Sequence, residues 1–228
     1  MARLYIFAEG PTEQVFATNL LAPHLLNTGV YLQAAILIAH ARKRGIVHRG
    51  GGRNYVAMKN DILRFTAQEH SSDVFFTTMI DLYAIHPHFP GLEESRKISH
   101  LPLKRVEFLE QAFAHDIGDE RFIPHIQLHE YEAYLFCDLD CFLDFYPRAS
   151  KDIDALKVVA KSYETPEFIN DGQHTAPSKR ITKCLPGYEG VKPSVCVQVA
   201  QRIGLQKIRD GCPHFHSWLS RLEQLGED

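Results

Sequence analysis

Nearly continuous apolar runs, separated by helical patterns, are the feature that most constrains the fold of this chain. Residues 4–8 (LYIFA) and 74–80 (VFFTTMI) lack the alternation of apolar and polar side chains that a half-exposed strand shows. Such strands are typical of a parallel sheet whose two faces are both covered. Two further strands are predicted at 31–39 and at 121–129, although Pro124 weakens the second pattern.

Helical patterns lie between these strands and continue beyond them. In the first half, helices are predicted from about residue 12 to residue 26, at 54–70 and near 102–115. The second half is mostly helical, with segments predicted at 130–137, 150–162, 177–184, 193–203 and 212–223. The alternation predicts an α/β fold with a largely parallel four-stranded sheet flanked by helices. We expect an α/β core at 1–148 and an all-α extension at 149–228 that packs on it.

The composition excludes some classes of protein. A formal charge of −3 argues against a generally basic nucleic-acid coat, although it leaves room for a local basic groove. No apolar run approaches the roughly 20 residues that a bilayer crossing needs, and the N-terminus shows no leader pattern. The five cysteines lack CxxC spacing, which indicates a reducing compartment. We therefore expect a cytoplasmic protein with no membrane partner.

Acidic residues follow the predicted strands. Glu9 ends the first strand, Asp81 ends the third, Glu130 and Glu132 follow the fourth, and Glu13 lies in the helix after the first. Functional groups of open α/β sheets collect at the carboxyl ends of the strands, so we expect these carboxylates to converge. Converging carboxylates repel one another unless a cation neutralises them, and Mg²⁺ (or Mn²⁺) prefers oxygen ligands. The pattern therefore predicts metal-assisted phosphoryl transfer.

Each acid also has a purely structural interpretation. Glu13 near a helix N-terminus complements the helix dipole, and Asp81 is suited to capping the turn that follows it. Glu130 and Glu132 are two positions apart on a predicted helix, so they point to different sides and at most one of them is expected to face a metal.

Several segments resemble a known group of proteins. EGPTE at 9–13 resembles the first motif of the Toprim superfamily, the fold shared by topoisomerases, bacterial primases and overcoming-lysogenization-defect nucleases. IDLY at 80–83 resembles the aspartate-containing strand end of that fold. More closely, RFIPHIQLHEYEAYLF, APSKRI and CPHFHSWLSRLE resemble a bacterial Toprim-like family of unknown function from defence or mobile-element neighbourhoods. This resemblance covers nearly the whole chain.

The resemblance implies a role for each acid. Glu9 would be the acid of the first motif and could act as the base, while Glu13 and Asp81 would bind metal. Glu132 matches the glutamate of the fourth-strand motif, and Glu130 belongs to the narrower family pattern. One departure concerns the second metal. Many Toprim domains carry Asp-x-Asp at the third strand, but here the second position is a tyrosine, Tyr83. This departure predicts a single metal, a site completed by Glu130, or a domain that binds without cutting.

Two basic segments are candidates for binding phosphates. A glycine-rich segment at 40–53 is predicted to be a loop, and its candidate nucleic-acid contacts are Arg42, Lys43, Arg44, Arg49 and Arg53. Pro177 and Ser178 begin a helix whose N–H groups could bind an anion. On that helix Lys179, with a catalytic role, and Arg180 are expected to offset phosphate charge. The alternative for both segments is a solvated basic surface.

The motifs lead to a function hypothesis with two alternatives. The first is a Toprim-like, Mg²⁺-dependent nuclease that acts on DNA or RNA within a bacterial defence system, with Glu9, Glu132 and Lys179 as catalytic residues. The second is a non-catalytic regulatory subunit that binds nucleic acid or an ATPase partner. The third is nucleotidyl transfer, as in primases, which would use the same acids.

Overall fold

The computed structural model describes residues 1–43, 46–49, 54–169 and 175–227. The chain packs as two compact units. The first contains Met1–Gln127 and Ser220–Asp228, and the second contains Leu128–Leu219. The domain boundary expected after residue 148 stays a prediction.

A parallel sheet forms the centre of the first unit. The strands of the described chain are β1 (Ala2–Ala8), β2 (Val30–Leu37), β3 (Ala39–Lys43), β4 (Ile46–Arg49), β5 (Val74–Asp81), β6 (Phe122–Ile123) and β7 (Ile126–Gln127). In the main sheet the order is β2-β1-β5-β6, with β7 also paired to β5. Every pairing in it is parallel. The predicted α/β class with a mostly parallel sheet is confirmed.

Helices connect these strands. In the first unit they are α1 (Pro11–Phe16), α2 (Ala22–Leu26), α3 (Tyr55–Gln68), α4 (Leu92–Ser95) and α5 (Pro102–Ile117). A π-helical segment, Ala17–Leu21, joins α1 to α2, so the single helix predicted near 12–26 is continuous but locally widened. Pro23 lies just after this segment, in the first turn of α2, where its missing N–H removes one donor from the helical ladder.

The two central strands are packed through aromatic side chains. Tyr5 on β1 lies opposite Phe76 on β5 in the parallel register, and their rings stack with centroids 5.5 Å apart. Phe65 of α3 packs 5.6 Å from Phe7, edge to face. These buried contacts hold β1 and β5 rigidly side by side, which fixes the relative position of the residues at their carboxyl ends.

Pro124 divides the predicted fourth strand into β6 and β7, since proline cannot donate to the ladder. The Thr78 side chain of β5 bridges the break. Its hydroxyl accepts a hydrogen bond from the His125 backbone N–H and donates one to the His125 carbonyl, each at 2.9 Å. The backbone polar groups beside the break are thus satisfied without a continuous strand.

One predicted loop is wrong in part. The glycines of 40–53 predict a loop, but β3 and β4 pair as an antiparallel ribbon in which Lys43 lies opposite Ile46. The β-branched Ile46 and Val47 favour a strand, and this preference outweighs the flanking glycines.

The second unit is helical. Its α-helices are α6 (Ser150–Ala160), α7 (Pro177–Cys184), α8 (Tyr188–Ile203), α9 (Leu205–Gly211) and α10 (Pro213–Gln224), the last of which continues into the first unit. Residues Tyr131–Cys137 form a 3₁₀-helix. The helix predicted at 193–203 begins five residues earlier, at Tyr188, so Pro193 lies inside the helix, where it removes one i→i−4 hydrogen bond. No helix in the described ranges has the length and apolar character that a membrane crossing requires.

The C-terminal segment packs within the first unit against the turn after α2. His24 Nε2 lies 2.6 Å from Glu223 Oε1. Gly226 lies against the backbone of Thr28 so closely that a β-carbon there would be 1.9 Å from the Thr28 carbonyl oxygen. Glycine is therefore required at position 226 for this close approach.

Candidate functional site

The carboxyl ends of β1 and β5 bring Glu9 and Asp81 together. The Glu9 backbone N–H continues the parallel ladder by donating to the Met79 carbonyl at 2.9 Å. The Glu9 side chain then accepts a hydrogen bond at Oε2 from the Asp81 backbone N–H, at 2.8 Å. Glu9 is buried, and this bond fixes the orientation of its carboxylate. The structure thus places the first two acids of the predicted site side by side.

Glu13 makes one of the two contacts of a capping box at the start of α1, because Gly10 at the N-cap position has no side chain to make the other. Its Oε2 accepts a hydrogen bond from the Gly10 backbone N–H at 2.9 Å, the reciprocal contact of such a box. This contact is consistent with the structural interpretation of Glu13, in which its carboxylate stabilises the N-terminus of α1. Its expected role as a metal ligand stays a prediction.

Asp81 occupies the position before a short 3₁₀ turn, Leu82–Ala84. Among the described residues its side chain makes no capping hydrogen bond to that turn, so the structural interpretation of Asp81 gains no support. Tyr83, which stands where many Toprim domains have a second aspartate, is 52% exposed.

A small pocket of about 220 Å³, open solvent included, lies beside Glu9 and Asp81. Its other lining residues are Tyr55, Met58, Ile80, Ile85, His86 and Phe89. The Tyr55 hydroxyl donates to the Asp116 carboxylate, and burial together with this bond raises the pKa of Tyr55. Nδ1 of His86 accepts from the His88 backbone N–H at 3.1 Å, which leaves Nε2 as the protonated nitrogen of a neutral ring.

The second unit contains another pair of acids, Glu130 and Glu132. Glu130 directly follows His129, whose φ of 65° is in the left-handed region that non-glycine residues seldom adopt. Glu130 accepts two hydrogen bonds from Ser178 at the start of α7: one from the backbone N–H to Oε1, and one from the hydroxyl to Oε2 at 3.0 Å. The start of α7, which the sequence predicts to bind an anion, thus binds the carboxylate of Glu130 from the protein itself.

Glu132 lies close to Glu130 and has a basic partner. Its Oε1 lies 2.5 Å from the Nζ of Lys192, on α8. Burial raises the pKa of Glu130, and the charge of Glu132 raises it further, while Ser178 and Lys192 act in the opposite direction. Tyr188, one turn before Lys192 on α8, has a pKa raised first by burial and then by the charge of Glu132.

The predicted basic residues lie in different places. Lys179 is 51% exposed on the surface, 3.7 Å from Glu189. Arg180 donates to the Thr175 carbonyl at 2.5 Å and to the Tyr163 hydroxyl at 3.3 Å. Arg44 and Arg53, and the side chains of Arg42, Lys43 and Arg49, lie outside the described residues.

Sequence reasoning missed Lys192 and Tyr188. Both belong to a stretch of α8 that Pro193 excluded from the predicted helix. Their i, i+4 spacing would place both side chains on the same face of a helix, and this spacing is visible in the sequence.

Both carboxylate groups suit a hard divalent cation. Glu9 and Asp81 in the first unit, and Glu130 and Glu132 in the second, offer the carboxylate oxygens that Mg²⁺ or Mn²⁺ binds. In each pair, a backbone N–H orients one of the two acids. The Asp81 N–H donates to Glu9 at 2.8 Å, and the Ser178 N–H donates to Glu130. The chemistry of the donors therefore fits such an ion in either unit.

No curated protein and no solved structure shows significant similarity to the chain. The sequence profile of one family, Domain of unknown function (DUF4276), matches residues 8–223. This match spans the strand-end acids of the first unit and the whole of the second unit, Leu128–Leu219. The chain therefore belongs to the DUF4276 family.

Proposed function

We propose that this chain is a Toprim-like, metal-dependent phosphodiesterase that hydrolyses nucleic acid. The observation that carries the proposal is the Glu9–Asp81 pair. Two acids end adjacent central strands of a parallel sheet, and a backbone hydrogen bond of 2.8 Å orients one of them beside a pocket. Strand-end carboxylates on a rigid sheet are the arrangement that holds a divalent ion for phosphoryl transfer.

In this proposal Glu9 and Asp81 hold Mg²⁺ or Mn²⁺, and Glu13 supports them from the first turn of α1. When bound, such an ion supplies an activated water and stabilises negative charge on the phosphodiester. The protein contributes orientation, because the Asp81 amide keeps the Glu9 carboxylate in a single position. Lys179 and the basic residues of 40–53 remain proposed contacts for nucleic acid.

The family resemblance supports the biological setting of the proposal. A Toprim-like core, DNA or RNA as substrate, a bacterial defence role and an ATPase partner are all carried over from that resemblance. The mostly parallel sheet and the acids at its edge are compatible with them.

A cleavage assay with a matched control tests the proposal. Wild type, Glu9→Gln and Glu93→Gln are incubated with single- and double-stranded DNA and RNA, in Mg²⁺ and in Mn²⁺. Glu93 is an exposed acid of the same unit, paired with Arg96 at 2.8 Å and remote in sequence from the strand ends. We expect cleavage by wild type and Glu93→Gln, and a loss of at least a hundredfold in Glu9→Gln. Cleavage at equal rates by all three would overturn the proposal.

Two observations favour the non-catalytic alternative, a binding or regulatory subunit. Tyr83 replaces the second aspartate, and Glu132 of the second unit already has an ammonium partner in Lys192. This alternative predicts nucleic-acid binding in a gel-shift assay with no cleavage in either metal. It also predicts the same binding for Glu9→Gln as for wild type, whereas the phosphodiesterase proposal predicts metal-dependent cleavage.

A further inference from the structure

Lys192 occupies an unusual position for a lysine. Its side chain is 35% exposed, while the side chain of Glu132, whose carboxylate it contacts, is 2% exposed. The ammonium therefore lies between solvent and a buried acid at a distance of 2.5 Å. A lysine stem is long and flexible, so its ammonium can withdraw toward water without a change in the backbone.

Among the described residues, two buried carboxylates share the single positive charge of Lys192. Glu130 and Glu132 are both buried and close enough for the charge of Glu132 to raise the pKa of Glu130. Ser178 supplies two neutral hydrogen bonds to Glu130, and Lys192 supplies one positive charge. When both acids are ionised, these described groups together carry one net negative charge, which favours the entry of a second cation.

A second observation indicates a ligand at the same place. The Tyr188 hydroxyl is fully buried and has no hydrogen-bond partner among the described residues. It lies one turn before Lys192 on α8, and the charges of Glu132 and Glu130 both act on it. Buried hydroxyls are nearly always hydrogen-bonded, so the Tyr188 hydroxyl needs a partner that the described residues do not supply.

We infer that Glu130 and Glu132 form a cation site whose resident counter-ion is Lys192. A divalent cation that enters the site displaces the ammonium from Glu132. The displaced ammonium and the Tyr188 hydroxyl then bind the oxygens of a phosphate on the incoming ligand. Only the naming of phosphate rests on the proposed function; the competition between metal and lysine follows from the contacts themselves.

The competition is measured by Mn²⁺ binding in full-length protein. All variants carry Glu9→Gln and Asp81→Asn, so that the acids of the first-unit sheet edge do not contribute. Lys192→Met is compared with Lys157→Met, because the Lys157 side chain is also 35% exposed and pairs with an exposed acid, Asp140, at 2.6 Å in the same unit. We expect Lys192→Met to bind Mn²⁺ about tenfold more tightly, and Lys157→Met to leave the affinity unchanged.

Two results of this titration would overturn the inference. One is an Mn²⁺ affinity that is unchanged or weaker in Lys192→Met, since a lysine that only stabilises the fold would not compete with metal. The other is no Mn²⁺ binding before or after the substitution. The fluorescence of Trp218, the single tryptophan of the chain and a buried residue of the second unit, reports whether each variant is folded.

A labelling experiment tests the same competition without the substitution of Lys192. In the Glu9→Gln/Asp81→Asn protein, acetylation of each lysine by acetic anhydride is followed by mass spectrometry with and without Mn²⁺. We expect the acetylation rate of Lys192 to rise several-fold with Mn²⁺, because the amine leaves its carboxylate partner. Lys157, which pairs with the exposed Asp140, serves as the internal standard. An equal Lys192 rate in both conditions counts against displacement.

The phosphate step is tested by linkage. If inorganic phosphate binds to the displaced ammonium, Mn²⁺ tightens phosphate binding and phosphate tightens Mn²⁺ binding by the same factor. We expect this coupling to disappear in Lys192→Met and to weaken in Tyr188→Phe. Equal coupling in wild type and Lys192→Met would overturn this step. Every measurement here is of binding, so the result of the nuclease assay does not decide the cation-site inference. A failure of the cation-site inference, in turn, would not contradict the phosphodiesterase proposal for Glu9 and Asp81.

Discussion

The Glu9 carboxylate accepts a hydrogen bond from the Asp81 backbone N–H at 2.8 Å, so the end of one central strand fixes the end of its neighbour. The bond gives Glu9 two roles that can be separated. Its oxygen satisfies a partly buried backbone donor, and its charge makes the strand edge attractive to a cation. A neutral amide can keep the first role and lose the second.

Glu9→Gln and Glu9→Ala separate these roles. Glutamine retains an oxygen for the Asp81 N–H, so we expect its free energy of unfolding to stay within about 1 kcal/mol of wild type. Alanine leaves the donor unsatisfied, which should cost about 1–3 kcal/mol. Both variants should weaken Mn²⁺ binding to the first unit in calorimetry. Equal stabilities for the two variants would show that the hydrogen bond contributes little, and retained metal binding in both would remove Glu9 from the cation site.

The sheet was predictable because its signal is local. Unbroken apolar runs such as 74–80 define buried parallel strands, and an acid that follows such a run must lie at the sheet edge. The pairing of β1 with β5 could not be read from the sequence, because register depends on contacts between distant residues. The bridging role of Thr78 beside Pro124 depends on that register and was equally inaccessible.

The partners of the second-unit acids show a different limit. Ser178 was expected to offer an anion site at a helix start, and the structure supplies Glu130 as the anion. Proline normally marks a helix boundary, so the sequence does not predict that Lys192 lies on a helix, whereas Pro193 lies within α8. The APSKRI motif points to Lys179, but in the structure its ammonium lies 3.7 Å from Glu189. Sequence spacing identifies such residues but does not determine which of them meet.

Glu130→Gln should change how the stability of the protein depends on pH. The pKa of Glu130 is raised in the folded chain by burial and by Glu132, so the folded state binds this proton more tightly than the unfolded state. Its contribution to stability is therefore fully present below the usual value of 4.5 and is lost as pH rises through the raised value. We expect the urea midpoint of Glu130→Gln to fall less than that of wild type as pH increases.

The measurement follows Trp218 fluorescence during urea unfolding at a series of pH values from 4 upward. Glu189→Gln is the control, because Glu189 is an exposed acid of the same unit. It should track wild type at every pH. Parallel curves for wild type and Glu130→Gln would contradict the raised pKa of Glu130.

Gly226→Ala should destabilise the first unit by about 1–3 kcal/mol, the usual range for an overpacked site. The added carbon would lie 1.9 Å from the Thr28 carbonyl oxygen, and backbone cannot move aside as a flexible side chain can. Unfolding in urea, followed by circular dichroism, measures the change. The control is Gly190→Ala in α8, where a β-carbon meets no atom of the described residues within 4 Å. That variant should be neutral or slightly stabilising, by up to about 1 kcal/mol. An unchanged midpoint for Gly226→Ala would show that the C-terminal segment is not held against this turn.

Glu167→Ala should cause the largest loss of stability among these variants. Glu167 is fully buried, and its two oxygens accept hydrogen bonds from the backbone N–H groups of His214 at 2.9 Å and Phe215 at 3.0 Å. These are donors in the first turn of α10 that the helix itself leaves without partners, and a negative charge there also favours the helix dipole.

Removal of the carboxylate leaves both donors buried and unsatisfied, at a cost of about 2–4 kcal/mol in the free energy of unfolding. Glu167→Gln keeps one acceptor and should lose about half as much. Trp218 lies on the same helix, so its fluorescence in urea follows the change directly. Glu164→Ala, an exposed position three residues earlier, should unfold at the wild-type midpoint. If Glu167→Ala also unfolded there, α10 would not depend on this carboxylate for its N-terminal cap.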